Sequence, residues 1–410
     1  MTDSDSDFSL PASEYAGRIE RLREAMATEG LDAYVVFHAI RVAYLTGFFH
    51  QITERPIVLI LTPDGRQVML VPKLEQEHVA TIPGIDRAAS YPEYPTGGTV
   101  HPMEHLRSLL VELGMTRSGV RIGFDHDGPL DMNGYRGAPF SQVMGAGTET
   151  IEARQLIDQL RAVKSPAEIA LIAEASRWAD RAHGIMQETM AVGRSDLEIG
   201  QTAAFQASQL LLAELGSGYQ APSRSFFQPW CGLPVALYMI SGSGTALPHG
   251  LPGAVGLQPG DLIETFATVD IGGYQTELER TMIVGEPSAE IRRSFDTMLQ
   301  LQDLAFAAVR PGRTLAEIET EITAAFDALG VRDAQRHHTG HGIGLEGHEA
   351  PFIDLGDHTI VEPGMVFTIE PGLYLIGTGG FRHSDTVVVR EHGVERLTHY
   401  PRDLDALVVG

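Results

Sequence analysis

Cysteine and lysine are scarce in this 410-residue chain. The single cysteine, Cys231, excludes an intrachain disulfide and suits a reducing compartment, and its neighbours offer nothing that would activate a thiolate. The two lysines, Lys73 and Lys164, leave arginine as almost the whole basic content. With 30 basic and 54 acidic side chains, the formal charge is −24. A charge this negative argues against nucleic acid and anionic membranes as partners.

Long apolar runs are also missing. No stretch approaches the roughly 20 apolar residues that span a bilayer. Residues 1–7 are acidic and polar, whereas a secretory signal needs a basic start and an apolar core. We therefore expect a cytoplasmic protein without membrane contact, long enough for two domains that each have a core.

The first part of the chain alternates helical and strand patterns. Residues 1–11 are predicted to be disordered. A helix then ends at Gly30, short β-rich runs follow at 33–38, 57–61 and 68–71, and a helix at 103–113 precedes a strand at 120–124. This alternation predicts a small α/β domain over residues 12–158, in which nothing indicates catalysis.

A capping box marks the start of the second domain, predicted over residues 159–410. Ser165 is the N-cap, Pro166 takes the first helical position, and Glu168 completes the box. Within this domain, residues 193–199 resemble residues 312–318, and residues 257–261 resemble residues 361–365. Either the domain has two similar halves with a site between them, or short capping motifs coincide by chance.

Residues 260–281 read as a β-hairpin that turns at Gly272 and Gly273. Strand alternation places Glu264 and Phe266 on one face, and Glu277 and Glu279 on one face of the returning strand. A solvated hairpin edge would explain such a stretch taken alone.

Three further segments carry polar residues in apolar strand contexts, at 241–249, 337–349 and 367–386. For any single histidine among them, a structural role is the simpler reading. Glycines packed around His341 suggest close backbone approach to a ligand or a neighbouring strand. Histidine and glutamate converging from several strands are typical of a metal or acid–base site.

In this order and spacing, these motifs resemble the pita-bread family of methionine aminopeptidase, aminopeptidase P, prolidase and creatinase. The resemblance covers residues 160–390 and rests on Pro248-His249, on Gly340 to Gly344, on His348-Glu349 and on Glu370-Pro371-Gly372. It implies an α+β pita-bread catalytic domain with pseudo-twofold halves, behind a smaller α/β domain like that of the creatinase–prolidase branch. It also implies a homodimer.

The metal site of that family is incomplete in this sequence. Its peptidases hold two divalent metals with two aspartates, one histidine and two glutamates. By resemblance, those positions are occupied here by Phe266, Glu277, His341, Glu370 and Ser384. Phenylalanine cannot bind a metal, so two metals are not expected. Glu277, His341 and Glu370 could still hold a single Mn, Zn or Co ion, but a metal-free site is the leading expectation.

Creatinase, the metal-free member, resembles this chain at Glu279 and at His249. The leading functional expectation is therefore metal-independent hydrolysis of a C–N bond in a small, cationic guanidino or amidine compound, including ectoine-type cyclic amidines. The resemblance implies the following roles: catalysis by His249, Glu279 and Glu370, and substrate binding by His341, His348, Glu277, Tyr274 and Arg382. His383 is one residue out of register with a creatinase histidine, so it should face away from the site unless a bulge intervenes.

Two alternatives remain open. The first is an Xaa-Pro aminopeptidase or dipeptidase that uses the residual metal site, since the same histidines line the peptidase sites. The second is a non-catalytic pita-bread domain that binds peptides. Retention of His249, His341, His348 and Glu370 together speaks against the second.

Overall fold

A computed structural model describes residues 8–93, 100–129, 134–145, 147–220 and 234–410. These residues form two compact units, one over residues 9–161 and one over residues 162–220 and 234–410. Cys231 and residues 1–7 lie outside the described residues. Leu10, within the segment predicted to be disordered, is buried, and the first helix begins at Ala12.

The N-terminal unit alternates helices and strands as its sequence predicts. In chain order its elements are α1 (Ala12–Thr28), β1 (Ala33–Val36), α2 (Ala39–Thr46), β2 (Val58–Leu61), β3 (Gln67–Pro72), α3 (Gln76–Val79), β4 (Arg87–Tyr91), α4 (Pro102–Glu112), β5 (Arg121–Phe124), α5 (Phe140–Met144), β6 (Glu149–Glu152) and α6 (Gln155–Ala162). The strands form one mixed sheet in the order β4-β3-β2-β1-β5-β6.

Strand β1 ends two residues earlier than its apolar run predicts. The amides of Phe37 and His38 donate to the carboxylate of Asp125, at 2.7 and 3.1 Å, rather than to a neighbouring strand. Because a buried side chain satisfies these backbone donors, the strand can end inside the unit without leaving them unpaired.

The C-terminal unit places helix pairs before groups of strands. Its elements are α7 (Pro166–Thr189), α8 (Asp196–Leu215), β7 (Val235–Ser241), β8 (Leu262–Ile271), β9 (Tyr274–Gln275), β10 (Leu278–Glu279), β11 (Thr281–Val284), α9 (Ala289–Ala308), α10 (Leu315–Ala328), β12 (Gly340–Gly342), β13 (Glu349–Ile353), β14 (Val366–Ile369), β15 (Gly372–Leu375), β16 (Gly379–Arg382), β17 (Ser384–Arg390), β18 (Gly393–Arg396) and β19 (Val408–Val409). The main sheet runs β13-β12-β14-β17-β10-β8-β11-β19, with β7 and β9 paired to β8 and β18 paired to β17. Strands β15 and β16 form a separate pair.

The two similar segments of the sequence make equivalent contacts, which confirms the predicted halves. Before α8, the amide of Gly193 donates to Leu257, and before α10 the amide of Gly312 donates to Val361, both at 2.9 Å. Both helices open with the predicted capping box, Ser195 with Glu198 and Thr314 with Glu317. The likeness between the halves is therefore structural and not a coincidence of capping motifs.

The hairpin predicted at residues 260–281 is present. Ile271 pairs with Tyr274 across the turn at Gly272 and Gly273, which both have positive φ. Beyond the turn, the returning strand is split into β9, β10 and β11, and all three pair with β8. Strand β8 lies inside the main sheet, between β10 and β11, so the hairpin is not a solvated edge.

Within the described part of the chain, no helix combines the length and the apolar character needed to cross a membrane.

Candidate active site

Cross-strand register assembles the site on one face of the main sheet. Leu278 pairs with Ala267 and Thr281 pairs with Glu264, so the same register sets Glu279 opposite Phe266 and Glu277 opposite Thr268. On the other side, Glu279 pairs with Ser384. Directly opposed residues point to the same face, so side chains that are far apart in sequence share one surface.

The second half of the unit completes this surface. Ile369 pairs with Asp385, which brings Glu370, one residue beyond β14, opposite Ser384. His341 reaches the same place from β12, where its amide donates to Thr368 Oγ1 at 3.1 Å. The site therefore draws on strands of both halves.

Glu277, His341 and Glu370 form the centre of the site. His341 Nε2 lies 3.0 Å from Glu370 Oε1 and 3.9 Å from Glu277 Oε2. Ser384 Oγ donates to Glu277 Oε1 at 2.7 Å, and Thr368 Oγ1 donates to Glu370 Oε1 at 3.2 Å. All three central side chains are buried, so their charges interact with little screening by water.

The pKa values of this trio respond to burial and to one another. Burial and the charge of Glu370 raise the pKa of Glu277 to about 7. Burial alone would raise the pKa of Glu370, but the hydrogen bond and the charge of His341 hold it well below its usual range. Burial alone would lower the pKa of His341, but its bond to Glu370 and the charge of Glu277 raise it to about 9.

Glu279 forms a buried ion pair with Arg382. Both of its carboxylate oxygens contact Arg382, whose Nη2 donates to Oε1 at 2.7 Å and whose Nε contacts Oε2. Burial raises the pKa of Glu279, and the guanidinium of Arg382 opposes that shift. Arg382 Nη1 also donates to the hydroxyl of Tyr374 at 2.9 Å, and that hydroxyl lies 2.8 Å from His337 Nε2. A buried chain of polar groups thus leads away from Glu279.

The remaining predicted site residues fall in different surroundings. His348 is exposed and its ring stacks on that of His341, with centroids 3.6 Å apart. Although the residue is exposed, desolvation of its ring, one face of which lies on His341, and the charge of His341 lower the pKa of His348 to about 4. His249 is also exposed. Tyr274 is buried and its hydroxyl donates to Glu168 at the start of α7, so it is not directed at the central trio.

His383 faces away from the site, as its register predicts. It is fully buried on the opposite side of the strand, with its ring edge-on to Phe295 of α9.

Sequence reasoning missed several residues that the structure adds to the site. Glu264 is buried and accepts a hydrogen bond from the hydroxyl of Thr281 at 2.6 Å, and burial raises the pKa of this glutamate to about 7. Tyr238 of β7 lies opposite Phe266. The alternation of side chains along β7 and β8 could have placed both Glu264 and Tyr238 on the site face. Tyr374 and His337 carried no such signal, because only the tertiary fold brings them to Arg382.

The donor set fits one divalent cation. Donor atoms of Glu277, His341 and His348 lie within 4.8 Å of one another, and so do those of Glu277, Glu279 and Glu370. Carboxylate oxygens and imidazole nitrogens both bind divalent metals, and catalytic zinc sites need only three protein ligands. Four buried carboxyl groups, those of Glu264, Glu277, Glu279 and Glu370, share this region with the guanidinium of Arg382 and the imidazole of His341, so acidic groups outnumber basic ones. A phenyl ring has no donor atom, so Phe266 offers no ligand to a metal.

Comparison with known proteins agrees with this geometry. The model of Metallopeptidase family M24 matches residues 170–391, and that of the Creatinase/Prolidase N-terminal domain matches residues 18–163. The probable dipeptidase PepE of Mycobacterium tuberculosis is 27% identical to this chain over 96% of each sequence. The crystal structure of dipeptidase PepE from Mycobacterium ulcerans covers 98% of this chain and 99% of its own, with 26% identity and a TM-score of 0.81. An Xaa-Pro dipeptidase structure from Bacillus anthracis, 24% identical, has the same fold over 96% of this chain and 100% of its own, with a TM-score of 0.77.

These relatives correct the functional expectation. Metal-independent hydrolysis of a guanidino or amidine compound is contradicted, because the similar proteins are dipeptidases of a metallopeptidase family and not C–N hydrolases of small cations. The expectation that no cofactor is needed was also wrong, because the donor groups of the site suit a divalent metal. The physical error was to rank a metal-free site above a single-metal site because Phe266 and Ser384 are not carboxylates, although the three retained ligands converge without them.

The pita-bread fold, the convergent trio and the match over more than half of its length together show that this chain belongs to metallopeptidase family M24.

Proposed function

We propose that the protein is a dipeptidase, acting on Xaa-Pro dipeptides, that uses a single divalent cation held by Glu277, His341 and Glu370. The observation that carries the proposal is the convergence of these three side chains, with His341 Nε2 within 3.0 and 3.9 Å of the two carboxylates. Membership of a metallopeptidase family and similarity to the PepE dipeptidases support the reaction class. The preference for proline rests on the motifs shared with prolidase.

Glu277, His341 and Glu370 would hold a divalent cation, which would supply Lewis-acid catalysis and make water a stronger nucleophile near neutral pH. The protein's own groups do the rest. The buried carboxylates of Glu277 and Glu370 attract the free ammonium end of the dipeptide and orient the attacking water. Exposed His249 and His348 stand ready to bind the carboxylate end. His249 also accepts a proton from the attacking water and returns it to the leaving nitrogen as the C–N bond breaks.

Arg382 and Glu279 take supporting roles in this scheme. Because each satisfies the other's charge, neither is a principal counter-charge for substrate. Their pair instead keeps the guanidinium, with its bond to Tyr374, in one orientation beside the trio. A fixed arginine next to buried carboxylates lowers the repulsion among them.

Metal content and hydrolysis together test the proposal. Protein loaded with Mn²⁺, Zn²⁺ or Co²⁺ should retain about one ion per chain, counted by elemental analysis, and should release free amino acids from Xaa-Pro dipeptides. His341→Ala should lose both properties, because it removes the only nitrogen ligand of the trio. His358→Ala, a change of an exposed histidine in the same unit, is the matched control and should keep both. Two ions per chain would contradict the single-metal site, and a metal-loaded protein without hydrolysis would contradict the dipeptidase.

The homodimer implied by the family resemblance stays a prediction. It concerns assembly and is independent of the trio.

A further inference from the structure

An aromatic pair extends one row of side chains on the site face of the sheet. Tyr238 of β7 lies directly opposite Phe266 of β8, and their rings stack with centroids 4.6 Å apart and planes 21° from parallel. Both residues are half-buried, so each ring keeps part of its surface accessible. This stacked pair is called the aromatic wall below.

The aromatic wall lies next to the charged groups of the site. Register sets Phe266 opposite Glu279 on the adjoining strand, and neighbouring strands are roughly 5 Å apart. Burial raises the pKa of the Tyr238 hydroxyl, and the charges of Glu279 and Arg382 also act on it. An accessible apolar surface beside a few convergent polar groups is the usual composition of a ligand pocket.

Charge decides which end of a dipeptide would meet this wall. The ammonium end is attracted to the buried carboxylates, among them Glu277 and Glu370, and the row that carries Glu370 continues through Glu279 to Phe266. The carboxylate end meets instead the exposed histidines, His249 and His348, whose ring N–H groups can donate hydrogen bonds to it. The side chain nearest the ammonium, that of the first residue, is therefore the one beside Phe266 and Tyr238.

We propose that Tyr238 and Phe266 form the pocket wall for the side chain of the substrate's first residue, and that they select dipeptides that begin with an aromatic or large aliphatic residue. This inference rests on the proposed dipeptidase function. It assigns a binding role to Phe266, which stands at a position where the family's peptidases have a metal ligand. The ring of Phe266 contacts an apolar side chain of the substrate and cannot bind a second cation.

The experiment compares first residues at a constant second residue. Mn²⁺-loaded protein is assayed with Phe-Pro, Leu-Pro and Gly-Pro, and kcat/KM is measured for each. The wild type should favour Phe-Pro over Gly-Pro by at least about tenfold, because burial of a large apolar side chain has roughly that effect on discrimination. Phe266→Ala should lower this ratio about tenfold, and Tyr238→Ala provides a second variant if the first does not fold. Phe205→Ala, an exposed phenylalanine of α8, is the matched control and should leave the ratio unchanged.

Equilibrium binding separates this inference from the proposed function. Calorimetry with Phe-Pro and Gly-Pro on the same proteins measures the preference without turnover. Hydrolysis with a ratio that Phe266→Ala and Tyr238→Ala do not change would overturn the aromatic wall and leave the dipeptidase intact. Absence of hydrolysis, with tighter binding of Phe-Pro that is lost in Phe266→Ala, would overturn the dipeptidase and keep the wall. Equal binding of both dipeptides without hydrolysis would overturn both.

Discussion

At the scale of single residues, Phe266 and Glu279 are direct cross-strand neighbours on the site face of the sheet. Arg382 is fully enclosed, and a buried guanidinium without a partner costs several kcal/mol. Glu279 supplies that partner, so the carboxylate that suggested a cationic substrate has a structural explanation within the protein.

Glu279→Gln should therefore act mainly on stability. The change removes the negative charge facing Arg382 in a buried pair, which typically costs about 3 to 5 kcal/mol of unfolding free energy. Denaturant unfolding measures this loss, and kcat/KM of the remaining folded enzyme should stay within about threefold of wild type, far less than the effect of losing a substrate's charged partner.

The matched control is Glu395→Gln, which breaks the exposed pair with Arg390. Exposed pairs contribute about 0 to 1 kcal/mol, so this variant should unfold almost like the wild type. Normal stability of Glu279→Gln together with a sharply raised KM would contradict this structural role and would indicate that Glu279 contacts the substrate directly.

At the scale of elements, the backbone of β12 lies very close to the backbones of its neighbouring strands. It delivers His341 from between β13 and β14, and its glycines allow the backbones to approach closely. A Cβ on Gly340 would lie 2.0 Å from the carbonyl oxygen of Thr368, and one on Gly342 would lie 2.6 Å from that of Glu349. The glycines around His341 are therefore required by neighbouring strands, one of the two explanations that the sequence left open.

Gly340→Ala tests this requirement. The new methyl overlaps a backbone carbonyl, so β12 must shift, which should lower the melting temperature and weaken metal binding through displacement of His341. Overpacking of this kind usually costs about 1 to 3 kcal/mol. Gly347→Ala is the control in the same segment, because its Cβ would meet only the end of the Gln275 side chain at 3.4 Å. Equal melting temperatures and metal affinities for the two variants would contradict the packing argument.

At the scale of the whole molecule, metal, proton and stability are coupled through His341. The pKa of His341 in the metal-free protein is raised to about 9, above its ordinary value of 6.5. The contribution of its protonated form to folding is therefore complete below pH 6.5 and is lost as the pH rises to about 9. A metal ligand must be unprotonated, so the cation displaces this proton and binds more tightly over the same range.

Thermal unfolding with and without Mn²⁺ should show both trends. Between pH 6.5 and pH 9, loss of the proton from His341 should make the metal-free protein less stable. Over the same range, the increase in melting temperature on adding Mn²⁺ should become larger. A ligand at one hundred times its dissociation constant adds about 2.7 kcal/mol, and a chelator should abolish the gain. His341→Ala should show no metal-dependent increase at any pH. A chelator without effect on the wild type would contradict the bound cation.

The sequence alone determined the domain class, the pita-bread resemblance and the hairpin, and it indicated two similar halves as one of two possibilities, because these depend on local signals: strand alternation, capping boxes, turn glycines and motif spacing. It also named the central trio, since Glu277, His341 and Glu370 lie in recognisable motifs. Only the tertiary structure decided what these groups do to one another. The fold brings Glu279 to Arg382, Ser384 to Glu277 and Tyr238 to Phe266, and the members of these pairs are between 28 and 107 residues apart in the chain. Distance and burial determine whether neighbouring charges form an ion pair, a metal site or a substrate pocket, and no local pattern in the chain encodes either one.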